Sequence, residues 1–536
     1  MKNYIIYIAK KANQNLSGFF SAITRNLSNY SARTFNKFAD LEIKTGTAYK
    51  VAFAIFLLGY FCLNLTCALM GGGNGVLFQH IAMADRFLSG QGFYYSATEA
   101  STVYFPGVGF LAILVGKINY EYRDIVLLVI ANIIGTLFMF GIVKLGTKFT
   151  KSKWIPLFIC TLIMALQLPV YQAYMNEFKA DSLVLLFGMA LMLIIDRLEN
   201  KCGKGYNAQN WVLIFLIAIL MNISKQHALF VDVALGLYIV FQRHINLKYK
   251  VYLLSPMLLG GIIAVTITFS IPGSKLQVID IFRAMAYHTF RESIHILLMS
   301  LYANYYVYGL LLAFFIALLF GQFKFGKTEA KWGLVSLLFL LGQIAGTLKS
   351  GGNEGNIEAG LVGCLPFACM VAYFLYKRYI AEDKRKEFNA FLLVCVLMLG
   401  CHMGLKAYRS IPGIRDAFAN NEKISETLTK YAGGEEILYY SNQYMNVKRS
   451  SAIPAVDAYT VPSTLDEYKN TLSDIFNSRK YKIIYIPRRY LVSMDNSGLL
   501  YYNFKTNMLK AFEDNYVQLS GDDIVTDTEA ELYVLK

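Results

Sequence analysis

Long apolar runs alternate with short polar segments from residue 51 to residue 407. Each run holds about 16–22 residues, close to the ~20 that a helix needs to cross ~30 Å of hydrocarbon. The pattern predicts eleven membrane-spanning helices, with errors of about ±4 residues at their ends. They lie at roughly 51–70, 122–143, 154–170, 182–196, 211–224, 228–242, 251–271, 305–321, 332–348, 358–376 and 388–406.

The segment between the first two runs, 71–121, is too long for a simple connector and contains helix-like pieces at about 76–89 and 104–118. Long loops with their own structure are usually functional. Its aromatic residues are Phe93, Tyr94, Tyr95, Tyr104 and Phe105. They have an equally good interpretation as the aromatic belt of a membrane surface.

The last part of the chain has a different pattern. Strand-like runs at 435–440, 481–486 and 531–535 are separated by helix-like runs at 464–478 and 503–514. Such alternation predicts a small α/β domain. The chain therefore divides into an N-terminal arm (1–50), a transmembrane domain (51–406) and a C-terminal α/β domain (407–536).

Charge predicts the orientation. The arm and every second connecting segment together hold 26 Lys and Arg residues, whereas the opposite segments hold nine. This asymmetry places the basic segments in the cytosol, by the positive-inside rule, and an odd number of spans then places the C-terminal domain outside. From residue 406 onward there are 16 basic and 17 acidic residues, so the net charge of +15 belongs to the membrane part. Binding of nucleic acid is not indicated.

Composition agrees with a lipid environment, because 56% of the residues are hydrophobic and only 16% are charged. The eight cysteines contain no C-x-x-C pair and, apart from Cys202, lie in apolar runs. They are typical of small apolar core residues, and no zinc or redox site is predicted.

Carboxylates in the predicted outer loops are candidates for chemistry. Glu177 and Asp181 are four residues apart and so share one helical face at the mouth of the fourth span. Such a pair can bind a divalent cation such as Mg²⁺ or Mn²⁺, or one member can act as a base. The alternative is a solvated helix end with negative charge near its N-terminus. Asp85, in the first outer loop, is a third candidate, and Asp232 is expected to be paired or to face a cavity inside the membrane.

Cations also occur in the outer loops. Lys225 and His227 lie in a short turn, Arg283 and Arg291 in a longer loop, and Lys349 in a glycine-rich turn suited to cradling a phosphate. The alternatives are interface anchors and ordinary turns. Because every outer loop offers carboxylates or cations, the chemistry is expected on the outer face.

These residues resemble motifs of the GT-C superfamily of integral-membrane glycosyltransferases, which includes the protein O-mannosyltransferases and the lipid A aminoarabinose transferases. The resemblance covers roughly 51–406. Its elements are A-x-R-x-x-x-G (Ala84, Arg86, Gly90), Y-F-P-G (Tyr104 to Gly107), Arg123, an acid in EFKADSLVLLF, S-K-Q (Ser224 to Gln226) and K-x-G-G-N (Lys349 to Asn353).

The resemblance implies a GT-C-like α-helical polytopic membrane protein that transfers a sugar, with inversion, from a polyprenyl-phosphate donor to a glycan, lipid or protein on the extracytoplasmic face. A bacterial inner membrane is the implied location. Lys225, Arg283, Arg291 and Lys349 would hold the donor phosphate. Asn74, Tyr104, His227 and Asn353 would contact the sugar or the acceptor.

One stretch departs from the family pattern. An acid usually follows the first span as the catalytic base, but here the stretch is GGGNGV, and Asn74 cannot take a proton. Either Asp85 substitutes for it, or Glu177 or Asp181 does, or the reaction is changed or lost. Two other functions stay open, a flippase or transporter of a lipid-linked saccharide and a polymerase or ligase of lipid-linked glycans.

Overall fold

The chain is an integral membrane protein built mainly of helices, as seen in a computed structural model. The structure describes residues 46–70, 75–88, 90, 92–94, 105–119, 122–176, 180–199, 207–280, 290–323, 325–349, 356–433, 437–439, 471–486, 508–521, 524 and 531–536. The predictions for the N-terminal arm up to residue 45 lie outside these residues.

The helices follow one another closely along the chain. The first nine in the described part of the chain are α1 (Thr47–Leu69), α2 (Gly75–Leu88), α3 (Gly107–Ile118), α4 (Arg123–Thr150), α5 (Trp154–Asn176), α6 (Asp181–Glu199), α7 (Ala208–Ser224), α8 (Ala228–Phe241) and α9 (Leu247–Ser270). A π-helical turn, Lys275–Asp280, comes next. Then follow α10 (Phe290–Ala303), α11 (Tyr305–Leu319), α12 (Lys327–Thr347), α13 (Asn356–Tyr379), a 3₁₀ turn (Glu382–Lys384), α14 (Arg385–Arg409) and α15 (Ile411–Ala432).

Each of the eleven predicted spans falls on one of these helices. Among the described residues, six helices are long and apolar enough to cross a membrane, or seven if α10 and α11 count as one broken span. α10 and α11 meet at 92°. The others are shorter or more polar, so the number of eleven crossings stays a prediction. The predicted helix-like pieces of the first outer loop are confirmed as α2 and α3.

The membrane helices pack closely where small residues meet. A Cβ atom added at Gly59 of α1 would lie 2.7 Å from the carbonyl oxygen of Gly400 in α14. Small residues permit such close approach, and in lipid close packing is a main source of helix association. Around these contacts, large apolar side chains such as Phe56, Phe138 and Trp332 form the core of the bundle.

One hydrophobic cluster ties α2 and α3 to the C-terminal domain. Buried residues of α2, α3 and α4, such as Leu77, Ala112 and Leu127, belong to one hydrophobic cluster. The same cluster includes Phe476 and Phe512 of the C-terminal part. α2, α3 and the C-terminal domain therefore lie at the same end of the bundle.

Within the residues that the structure describes, the C-terminal domain is a four-stranded mixed sheet with helices on both faces. Its further elements are β1 (Ile437–Tyr439), α16 (Thr471–Asn477), β2 (Ile483–Ile486), α17 (Met508–Asn515), β3 (Tyr516–Gln518) and β4 (Glu531–Leu535), and the strand order is β1-β2-β4-β3. β1 and β2 are parallel, whereas β4 is antiparallel to both β2 and β3. The three predicted strands are confirmed, and β3 was not predicted from the sequence.

Alternate residues of β2 face opposite sides of the sheet. Ile483 and Tyr485 pack with Ile424 and Leu428 of α15, while Ile484 belongs to the cluster of α16 and α17. This is the period of two expected for a strand that is covered on both faces. α15 begins two residues after α14 ends, so the last membrane helix passes almost directly into the C-terminal domain.

We expect Gly59→Ala to lower the free energy of unfolding by about 1–3 kcal/mol, because the added methyl group is forced against backbone of α14. Thermal unfolding in detergent measures this effect. Gly404→Ala is the matched control, since no atom of the described residues lies within 4 Å of its added Cβ. An equal loss in both variants would contradict this account of the packing.

Candidate functional site

A sharp turn between α7 and α8 places a lysine inside the bundle. α7 ends at Ser224, whose Oγ donates to the carbonyl oxygen of Leu220 at 2.6 Å. Lys225 is extended (φ −162°, ψ 145°), and its carbonyl accepts from the backbone N–H of Ala228, where α8 begins. A serine hydroxyl that donates to a carbonyl oxygen of the preceding turn competes with the backbone hydrogen bonds of the helix. The side chain of Lys225 is 10% exposed.

Asp181, the first residue of α6, is the partner of Lys225. The lysine Nζ donates to Asp181 Oδ2 at 2.6 Å, and Gln343 Nε2 of α12 donates to Oδ1. The Asp181 side chain is only 3% exposed. A buried carboxylate needs such compensation, because an unpaired charge in the bundle is strongly unfavourable.

His227 lies beside this ion pair, with Nδ1 3.7 Å from Asp181 Oδ1. Burial lowers the pKa of His227 and outweighs the raising effect of Asp181, so the ring is neutral at neutral pH. α12 packs closely against His227 and the start of α8 through two of its glycines. A Cβ at Gly346 would lie 3.2 Å from the His227 ring, and one at Gly342 would overlap the ring of Phe230.

Asp85 of α2 forms a second ion pair. Arg123, the first residue of α4, binds it with two hydrogen bonds, from Nη1 to Oδ1 at 2.5 Å and from Nη2 to Oδ2 at 3.2 Å. Arg123 Nε also donates to Asp124 Oδ1 at 2.9 Å. The planar guanidinium forms a bidentate contact with the carboxylate, and this contact holds α2 to the start of α4. The Asp85 side chain stays 31% exposed.

The two ion pairs lie at the same end of the bundle, called the site end below. Gly107, the first residue of α3, lies against the end of α7, because an added Cβ would be 2.7 Å from the carbonyl oxygen of Ile223. On α2, burial and the charge of Lys225 lower the pKa of His80 to about 3. α2 therefore carries Asp85 and also a neutral histidine near Lys225.

The structure thus brings together Asp181, Lys225 and His227 of the predicted site. It adds Gln343 and His80, which sequence reasoning missed. Gln343 gave a usable signal, since a polar residue within a predicted span is costly and usually functional. His80 gave little, because a single histidine in an amphipathic helix has no specific meaning.

The other predicted residues are more scattered. Lys349 lies two residues after the end of α12, where burial lowers its pKa, and three residues after Gly346. Arg291 is exposed on α10. Asp232 of α8 accepts from Asn222 Nδ2 at 2.7 Å, so the predicted pairing is confirmed, although with a neutral partner. The remaining candidates lie outside the described residues: Asn74, Tyr104, Glu177, Arg283 and Asn353.

Of the predicted metal ligands Glu177 and Asp181, only Asp181 is among the described residues, so the surroundings of Asp181 are what can be compared with the metal prediction. Both oxygens of Asp181 accept from side chains, and one of these is a cation that would repel a metal ion. Within the described residues, no group of three or more His, Cys, Asp or Glu side chains could hold a metal ion. Asp181, as arranged here, does not fit a divalent-cation site, and metal dependence stays a prediction.

Comparison with known proteins identifies the fold. No protein-family model and no curated protein matches the sequence. Among solved structures, the chain is similar to ArnT from Cupriavidus metallidurans in the apo state, with a TM-score of 0.53, 12% identity, and coverage of 91% of this chain and 98% of that one. For ArnT bound to undecaprenyl phosphate, the TM-score is 0.52, the identity 9%, and the coverage 92% and 98%. ArnT is a lipid A aminoarabinose transferase of the GT-C type, so the predicted GT-C-like fold is confirmed.

We expect Asp181→Asn to lower the free energy of unfolding by about 3–5 kcal/mol, because Lys225 is then buried without its counter-charge. Lys225→Met should cost a similar amount. The double variant Asp181→Asn/Lys225→Met should lose clearly less than the sum, since neither uncompensated charge remains. Thermal and denaturant unfolding in detergent measure the cycle.

Lys117→Met is the matched control for this cycle, because it removes an exposed cation of α3. Its stability should equal that of the wild type. Additive losses for Asp181→Asn and Lys225→Met would contradict the interpretation of the two residues as one ion pair.

Proposed function

We propose that this protein is a membrane glycosyltransferase that moves a sugar from a polyprenyl-phosphate donor to a glycan, lipid or protein acceptor. The main support is the shared fold with ArnT over 91–92% of the chain, since one form of that enzyme is bound to undecaprenyl phosphate. The polar cluster at the site end is the proposed place of reaction. We further propose that this end faces the outside of a bacterial inner membrane.

The donor phosphate needs positive charge, because negative charge builds on it as it leaves the sugar. Fixed cations in a site that excludes water stabilise such charge strongly. Asp181 already neutralises Lys225. We therefore assign most of the phosphate binding to Lys349, Arg283 and Arg291, with Lys225 as the inner edge of the phosphate site.

A general base must reach the acceptor hydroxyl, and access differs between the two described carboxylates. Asp181 is 3% exposed and both of its oxygens accept hydrogen bonds. Asp85 is 31% exposed, and Arg123 holds it in a fixed orientation. The geometry favours Asp85 as the base and Asp181 as the residue that orients Lys225 and Gln343. Glu177 stays an alternative base.

The proposed reaction is a single displacement. Asp85 takes the proton of the acceptor hydroxyl while the hydroxyl oxygen forms a bond to the anomeric carbon. The bond between that carbon and the phosphate oxygen breaks, and the phosphate oxygen keeps the electron pair. The product is the glycosylated acceptor with inverted configuration, together with the free lipid phosphate.

The C-terminal domain is proposed to position the acceptor. It shares a hydrophobic cluster with α2 and α3, and α2 carries Asp85. The near-continuous passage from α14 to α15 supports the domain on a helix rather than on a flexible linker. An acceptor bound there would lie near the proposed base.

The test is transfer by the purified protein in nanodiscs from radiolabelled polyprenyl-phosphate sugars to a panel of acceptors. We expect consumption of one donor with release of free lipid phosphate. Asp85→Asn should lower kcat by about 10²–10⁴, the usual contribution of a general base. Chelation of divalent cations in the same assay tests metal dependence.

Lys117→Met serves as the control variant and should keep full transfer activity. Retained activity in Asp85→Asn together with loss in Glu177→Gln would assign the base to Glu177. If every donor survives while labelled lipid crosses a sealed bilayer, the protein is a flippase and the proposed transfer is wrong.

A further inference from the structure

A second ionic cluster lies at the opposite end of α6 from Asp181. Lys331 of α12 is completely buried, with Nζ 2.8 Å from Asp196 Oδ1 and 2.5 Å from Glu199 Oε2. Thr328 Oγ1 donates to Asp196 Oδ1 at 2.9 Å, and Lys148 Nζ of α4 lies 2.7 Å from Asp196 Oδ2. These five residues are called the basal cluster.

The basal cluster joins four helices. α4, α6 and α12 contribute its ionic side chains, and the ammonium of Lys331 lies 4.9 Å from the ring centroid of Tyr238 in α8. Two carboxylates face two ammonium groups, so the charges balance. None of these residues has a role in the proposed reaction.

The spacing of the contacts connects the two ends of the bundle. Asp181 and Asp196 are fifteen residues apart on α6, and Thr328 and Gln343 are fifteen residues apart on α12. The helices are antiparallel, since Asp181 meets Gln343 and Asp196 meets Thr328. Each interval corresponds to about 22 Å along a helix axis. The polar contacts at the two ends of the helix pair are therefore formed together in a single register of α6 against α12.

Apolar packing alone fixes such a register weakly. In lipid there is no hydrophobic driving force between helices, so their apolar faces can pack in several ways. A shift of one turn moves a helix by about 5.4 Å and would separate every polar pair. Buried ion pairs contribute little to stability compared with apolar packing, and their best-attested use is to specify one arrangement.

We propose that Lys331, through the basal cluster, positions Asp181 across the thickness of the membrane and so holds Lys225 and Gln343 in the site. Lys331 is a positioning residue, since it touches neither substrate nor the reacting atoms. The inference rests on the proposed function only where turnover is measured. The geometry of Lys225 can be measured without any substrate.

The test measures acylation of Lys225 by an amine-reactive reagent, followed by mass spectrometry of the full-length protein in detergent. In the wild type, Lys225 is buried against Asp181 and should react slowly. Lys331→Met should raise the rate of labelling at Lys225 by about tenfold, because more molecules then adopt an arrangement in which α6 and α12 are shifted against each other and Lys225 has lost Asp181. Asp181→Asn is the positive control, because it frees Lys225 directly.

Two further variants separate positioning from general loss of stability. Lys331→Met leaves two buried carboxylates with less compensation, whereas Lys331→Met/Asp196→Asn/Glu199→Gln removes those charges and should recover thermal stability. Labelling of Lys225 should stay raised in the triple variant. Lys248→Met removes an exposed lysine of the same end and should match the wild type.

Labelling of Lys225 at the wild-type rate in both the single and the triple variant would overturn the proposal. Labelling that returns to the wild-type rate when stability recovers would overturn it as well, since the cluster would then be merely structural. In the transfer assay, we expect kcat to fall and the KM for the donor to rise in the triple variant, because Lys225 borders the proposed phosphate site. If labelling of Lys225 is raised as expected but neither the wild type nor any variant transfers a sugar, the positioning role of Lys331 stands and the proposed function is rejected.

Discussion

The register between α6 and α12 is set by polar contacts at both ends of the helix pair, and α6 also binds Lys225 of α7 and Lys148 of α4. Asp181 and Gln343 join the two helices at one end, and Asp196, Thr328 and Lys331 join them at the other. Because buried charges and amides in the bundle must find partners, an arrangement that satisfies both ends excludes most alternatives. α7 and α4 are then placed by their own bonds to α6, through Lys225 and Lys148. The helices are thus located by a few polar contacts, while apolar packing supplies most of the contact area.

The site end combines rigidity with limited access. Asp181 is enclosed by hydrogen-bond donors, and this arrangement suits a residue that orients its neighbours rather than one that exchanges protons with a substrate. Asp85 lies on α2, is fixed by Arg123 and remains partly exposed. The two acids are thus distinguished by their surroundings, although both are aspartates paired with a cation. Under the proposed function, this division of roles would assign the base to Asp85 in a chain that has no acid directly after its first span.

α2, α3 and the C-terminal domain pack together at the site end. α2 and α3 pack on the ends of α4 and α7, and their hydrophobic cluster includes residues of the C-terminal domain. α15 covers the other face of the sheet and continues from the last membrane helix. The ends of the membrane helices, α2 and α3 and the C-terminal domain therefore meet at the site end.

The sequence by itself determined the position of the eleven long apolar segments, the two helices of the first outer loop and three of the four strands, because hydropathy and periodicity are local properties. It also identified Asp85, Asp181, Lys225 and His227 as unusual, since charged residues beside apolar runs are costly. Strand β3 was missed because it begins at the residue after α17 ends and its YVQ holds only two apolar residues, whereas the equally short β1 lies in the apolar run ILYY. Only the tertiary structure decided that Asp181 pairs with Lys225 and Gln343, that Asp85 pairs with Arg123, and that Lys331 closes the far end of α6. These partners are 38 to 162 residues apart in the chain, and their meeting depends on how the helices pack rather than on any local pattern.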